Sequence, residues 1–547
     1  MSTPLPIKKN FTVLIYPFHH SLTWPHREKQ LHTLNTRWKP WWSRLANADA
    51  VPGTQSLAKA LDDTYFFLPS LRELLYPETQ LLHGNAAGQV ELLKELAALP
   101  VDELAGKTPN SAMLRLTLSR AELEPLQQMQ LLPWESSGEG NPEEIFSFRI
   151  CWADVMLFPQ HVGFLAIKIE LEEKYTEKQL ADFLYYIRTI HPPNLDWHLA
   201  DWHPAAMEAS FLFKSRDLVD VLLEGIVEGT ALPPGISLAN RLNSISQIND
   251  LSQNQNQPPF LRGSDTPLGQ VYGESFRLYS YACLNNPSDE EDALFSSPVE
   301  RALYELATCT DTSDPDYQPH PAGKAALMEA GHIAIWANWQ GMALHDNVVF
   351  LGIVANKFTL GALPGNIEND YLALYLLALY QKFRLSYLSM DLMRRDVNLR
   401  QNTKEAGKLW DEFLQFRNHY WFHEVTLKPQ GSELYQKFRN GMAIPPLYES
   451  VGEELNDLQE HYERKNERNI NKLLTLLAVI GFPVSILVDI FGQAMIPATI
   501  CAMLGVSFTL VVILAIGYCW MLYGELMWAW AADVWQKYFS KKKHDQW

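Results

Sequence analysis

The stretch 473–494, LLTLLAVIGFPVSILVDIFGQA, decides how this chain is read. One apolar run extends from Leu473 to Phe491 and a second from about Met495 to Leu522. Each is long enough to cross a hydrocarbon core of roughly 30 Å, which takes about 20 helical residues. The connection Gly492–Pro497 is too short to recross a bilayer, so the two helices are expected to be antiparallel neighbours in a transmembrane hairpin. Arg464, Lys465, Arg468 and Lys472 precede the first run, while Lys537 and Lys541–Lys543 follow the second. Basic flanks stay on the cytoplasmic side. The expectation is an integral protein of the cytoplasmic (inner) membrane with both termini cytoplasmic.

The first helix carries Asn471, Thr475, Ala478, Phe482, Ser485 and Asp489 at steps of four and three, which places them on one face. A stripe of that kind suits a pore wall better than lipid. One hairpin has no facing wall, so several copies in a closed ring are required. In that ring Asn471 and Thr475 line the cytoplasmic end, Phe482 forms an apolar constriction, and Ser485 offers hydroxyls beyond it. Asp489 forms a carboxylate ring that a passing metal cation relieves of its repulsion.

Leu473 to Ala494 also resembles the pore helix of the CorA-like magnesium and metal-ion transporters. The likeness lies in the LT-rich start, the mid-helix Pro483, the aromatic-Gly ending, and the short loop and second helix leading to a Lys-rich tail. The family closes this helix with Gly-Met-Asn at the pore mouth; here the triplet is Gly492-Gln493-Ala494. The resemblance implies a pentamer that passes cations, with Mg2+ or another divalent ion as the transported or regulatory ion and no permanently bound cofactor. Residues 1–444 precede the stalk, more than ion sensing requires. Enlarged CorA-like proteins act as effectors of type III CRISPR defence opened by a nucleotide second messenger, so a ligand-gated effector is the first alternative. A non-conducting membrane-anchored scaffold is the second.

The formal net charge is −18 across 547 residues, although the tail is basic. So acidic a body argues against direct binding to nucleic-acid backbones. Five cysteines, Cys151, Cys283, Cys309, Cys501 and Cys519, show no CxxC spacing, which fits a reducing compartment. No P-loop, HExxH, GxSxG or strand-borne GxGxxG is present, so no enzyme is expected.

The fold expected is an α+β cytoplasmic domain, then a long stalk helix and the two-helix transmembrane hairpin. Phe11–Phe18 reads as a buried strand, followed by a histidine-rich piece and by Trp38, Trp41 and Trp42 as packing anchors. Thr54–Leu131 reads as several helices. Ile145–Leu157 and Val162–Leu171 read as hairpin strands, with a helix over Thr176–Ile190. His332–Trp339 and Asn347–Val354 read as two strands joined through His345-Asp346. Tyr371–Val397 and Thr403–Val425 are helical, and Tyr420–Phe422 read as core packing. The expected division is an N-terminal α+β region 1–250, a second strand-containing region 251–365, a helical region 366–444 and a stalk 445–472. The first membrane helix 473–491, an external loop 492–497, the second membrane helix 498–522 and a basic tail 523–547 complete it.

Overall fold

The structure, a computed structural model, describes residues 5–20, 22, 24, 27–46, 56–133, 145–190, 200–208, 211–227, 236–251, 275–285, 295–312, 314–399 and 403–492. The chain divides into two compact units. One comprises Met1–Asp396 with Lys408–Gly452, the other Val397–Gly407 with Glu453–Trp547.

The first unit is built on one sheet. Its strands are β1 (Ile7–His19), β2 (Trp38–Pro40), β3 (Leu114–Leu118), β4 (Gln128–Pro133), β5 (Phe146–Leu157), β6 (Val162–Leu171), β7 (Ala200–Pro204), β8 (Arg277–Leu284), β9 (His332–Trp336), β10 (Trp339–Ala343) and β11 (Asn347–Gly352). The order is β2-β3-β5-β6-β1-β8-β11-β10-β9, with β4 attached through β5 and carrying β7. Strands from both sides of residue 250 therefore share one sheet. All pairs are antiparallel except β8 with β11.

The β5–β6 hairpin is the longest local pairing, and it turns tightly. Phe158 N–H donates to the Val162 carbonyl at 2.9 Å, which leaves three residues, Pro159–His161, in the turn, and Gln160 and His161 both take left-handed φ values, 68° and 70°. Next to it, β1 is buried over nearly its whole length because its neighbours are β6 and β8, which are buried themselves. Such strands read as continuous apolar runs since helices cover both faces. One cover is Glu177–Ile187, opened by a reciprocal cap between Thr176 and Gln179, packed beside Pro298–Thr308. Phe183 of this layer meets Phe146 and Phe148.

The opposite face is covered by the helical stretch that continues into Leu372–Leu399. Phe383 there meets Phe164 of β6, and Tyr375 meets Tyr279 of β8. The stretch begins with two wide, π-helical turns, Phe358–Ala362 and Ile367–Tyr371, on either side of Leu363–Asn366. Aromatic contacts recur along it, and Phe158 stacks on Tyr380 at 4.4 Å.

Trp38, Trp41 and Trp42 are all buried. The Tyr420 hydroxyl donates to the Ser111 carbonyl at 2.9 Å, and Trp421 stacks on Tyr448 at 4.0 Å beneath the Arg439 guanidinium.

Three expectations are corrected here. First, Thr54–Leu131 is not helical throughout: β3 and the start of β4 lie inside it. Second, His332–Trp339 is not one strand, because the chain reverses at Ala337-Asn338 to give β9 and β10.

The third correction concerns the membrane. A single helix of 49 residues, Ile444–Gly492, covers the stalk segment and the whole of 473–491. Among the described residues no helix is long and apolar enough to cross a membrane. Thr475, Ser485 and Asp489 interrupt the apolar run, and a carboxylate is expensive in hydrocarbon. The second arm, 498–522, and the tail lie outside the described residues, as does most of the loop 492–497. The transmembrane hairpin and the inner-membrane location are accordingly not supported.

Candidate functional site

Asn471, Thr475 and Ala478 are exposed on the Ile444–Gly492 helix. The Thr475 hydroxyl donates to the Asn471 carbonyl one turn back at 2.8 Å, so two members of the stripe are joined through the backbone. Phe482, Ser485, Asp489 and Gly492 continue the same helix, and Gln493 and Ala494 lie outside the described residues. Among the described residues of the histidine-rich start, the ring contacts are local ones. His19 stacks on His161, His20 Nε2 bonds the Phe158 carbonyl at 2.9 Å, and among the described residues no three His, Cys, Asp or Glu side chains converge to hold an ion.

The site that the fold builds lies elsewhere, on the sheet face covered by the wide-turn helix. A cavity of about 990 Å³ opens over β2, β3, β5, β6 and β1. Seven of its lining side chains are basic (Lys9, Lys39, Arg44, Lys59, Arg120, Arg149 and Lys168) and two are acidic (Glu170 and Glu368). Period-2 alternation aims Lys168 and Glu170 of β6 to the same side. On β5 a bulge between Ile150 and Trp152 inserts Cys151. The extra residue turns Trp152 toward the cavity as well.

At the centre stands the Lys168 ammonium. It donates to Glu368 Oε2 at 2.8 Å and lies 3.2 Å from Glu170 Oε1. It also sits 4.9 Å from the centre of the Phe11 ring. Trp152 Nε1 donates to the other oxygen of Glu368 at 2.9 Å, and Arg149 pairs with Glu170. Burial works to lower the Lys168 pKa, but the interactions led by the Glu368 charge outweigh it and hold the group above the ordinary lysine range. In the same way burial works to raise Glu368 and Glu170, and Lys168 leads the interactions that bring both below the usual carboxylate range. Burial pushes the Cys151 thiol up to about 12. Each of these groups is therefore fixed in one protonation state near neutrality.

Beside this pair, two guanidiniums share one carboxylate. Arg44 reaches the two oxygens of Asp154 at 3.0 and 3.2 Å, and Arg115 reaches Oδ2 at 2.9 and 2.7 Å. Asp154 is fully buried. Each guanidinium lies over an indole, Arg44 4.5 Å over Trp152 and Arg115 4.5 Å over Trp41, contacts that favour cations with thin hydration. One positive charge is left over at this wall. Around the rim, Lys39 and Arg120 are exposed, and no carboxylate pairs with either among the described residues.

Such a surface can hold a multiply charged anion by fixed cations, several of them pre-oriented by buried partners. None of this was singled out from the sequence. The available signal was charge inside otherwise apolar strands, Lys168 and Glu170 in VGFLAIKIEL and Arg149 and Asp154 in FSFRICWADVML, where ionised side chains are rare unless paired. No protein-family model matches this chain, and no curated protein matches it.

Proposed function

We propose that the unit formed by Met1–Asp396 and Lys408–Gly452 is a receptor for a small polyanion bearing phosphate groups, a class that includes nucleotide second messengers. The observation that carries this is the reversal of charge: a chain of net charge −18 holds a cavity with seven basic and two acidic side chains. An acidic body repels anions at long range, whereas a concave basic wall focuses its field inward. Of the readings open to the sequence, this favours a ligand-responsive effector over a cation path, which asks for carboxylates in excess. Binding is favoured over turnover, because general acid–base work needs a group poised near neutrality, and Lys168, Glu170, Glu368 and Cys151 are all held away from it.

Calorimetric titration of the full chain with inorganic tripolyphosphate tests the proposal. The expected result is saturable binding that weakens as salt rises from about 50 to about 200 mM, since exposed charges such as Lys39 are screened. Lys39→Glu combined with Arg120→Glu changes two exposed side chains and should leave folding intact. It should weaken binding by about tenfold or more, equivalent to about 1.4 kcal/mol. Absence of binding to the parent chain, or equal binding by the charge-reversed chain, overturns the proposal.

A further inference from the structure

Resting on the receptor reading, the geometry points to how an occupied cavity is reported: we infer that a bound polyanion draws Lys9 and Lys168 away from the wide-turn helix and loosens residues 358–371. Besides the Trp152 bond to Glu368 at 2.9 Å, four side chains of the sheet tie this helix down. Tyr281 donates to the Thr359 carbonyl, Tyr279 to the Ile367 carbonyl at 2.7 Å, Lys9 to the Leu360 carbonyl at 2.8 Å, and Lys168 to Glu368 at 2.8 Å. The two tyrosine ties are buried and neutral. The two lysine ties are made by ammonium groups that also line the cavity.

A phosphate oxygen competes for those ammoniums and offers more charge than a main-chain carbonyl can. At Lys168 the effect is doubled, because the phosphate places like charge against Glu368. Glu368 is held below the usual carboxylate range and so stays ionised at neutral pH. Phe358–Ala362 and Ile367–Tyr371 are wound in wide turns, a geometry rare in helices and frequent at functional sites. Re-forming regular turns there shifts the register of the helix that continues to Leu399.

Hydrogen–deuterium exchange on the full chain, with and without saturating tripolyphosphate, reads this directly. Amides of residues 358–371 should exchange about fivefold faster or more when the ligand is bound, by an increased local opening. Glu368→Gln replaces the ion pair with a weaker neutral acceptor and removes the repulsion. It should raise exchange in that segment before any ligand is added, abolish the ligand-dependent increase, and tighten binding. Lys9→Met should raise the unliganded exchange as well. Calorimetric binding with unchanged or slowed exchange at 358–371 overturns the latch alone. Absence of binding overturns the receptor reading, and the latch with it.

Discussion

Asp154→Asn is expected to destabilise the sheet unit by about 3–5 kcal/mol, the cost of removing one partner from a buried ionic cluster. The carboxylate lies fully buried between Arg44 and Arg115 and accepts from both. With a neutral amide in its place, two guanidiniums face each other at the cavity wall, each still desolvated. The amide also carries a donor where both neighbours donate, so at least one hydrogen bond is lost outright. Urea denaturation followed by tryptophan fluorescence checks this, because Trp41 and Trp152 lie against the two arginines. A change below about 1 kcal/mol would mean that water reaches the cluster and screens it.

The second large effect lies at the other end of the sheet. Two helices, Pro321–Gly331 and Pro429–Gly441, end against the last residue of β10, and each ends in glycine. A Cβ at Gly331 would stand 2.0 Å from the Ala343 carbonyl oxygen, and one at Gly441 would stand 2.2 Å from the same atom. Backbone cannot turn aside as a side chain does. Gly331→Ala and Gly441→Ala should therefore each cost about 2–3 kcal/mol through forced backbone shifts. Because both push on one carbonyl, the double variant should lose less than the sum. Thermal unfolding of the three variants checks it, and strict additivity would show that the two contacts relax independently.

The sequence reading went furthest where a residue's partner was its near neighbour. Strands 145–157 and 162–171 are recovered as β5 and β6 almost to the residue, since β-branched and aromatic runs separated by four residues leave few other pairings. The turn between them was silent: Gln160 and His161 adopt left-handed backbone without a glycine to signal it. β2, β3, β4 and β7 are short, three to six residues each. β3 and the start of β4 lie in a segment whose Leu spacing suits a helix; tertiary pairing with β5 decided their conformation.

The membrane reading rested on hydropathy in 473–522, and among the described residues the helix there is not apolar and long enough to cross. The cavity could not be read locally at all. Lys9 and the Leu360 carbonyl lie 351 residues apart, and Lys168 and Glu368 lie 200 apart, so no motif of fixed spacing joins them. Only the sheet order, which sets β1 beside β6 and β6 beside β5, gathers these charges on one face.

A structure determined with inorganic tripolyphosphate bound tests the receptor claim most directly. The account predicts phosphate oxygens inside the cavity, at about 2.7–3.2 Å from donors of Lys168, Arg149 or Arg44. Tripolyphosphate seated on any other surface, with these side chains still paired only to Glu368, Glu170 and Asp154, would contradict it.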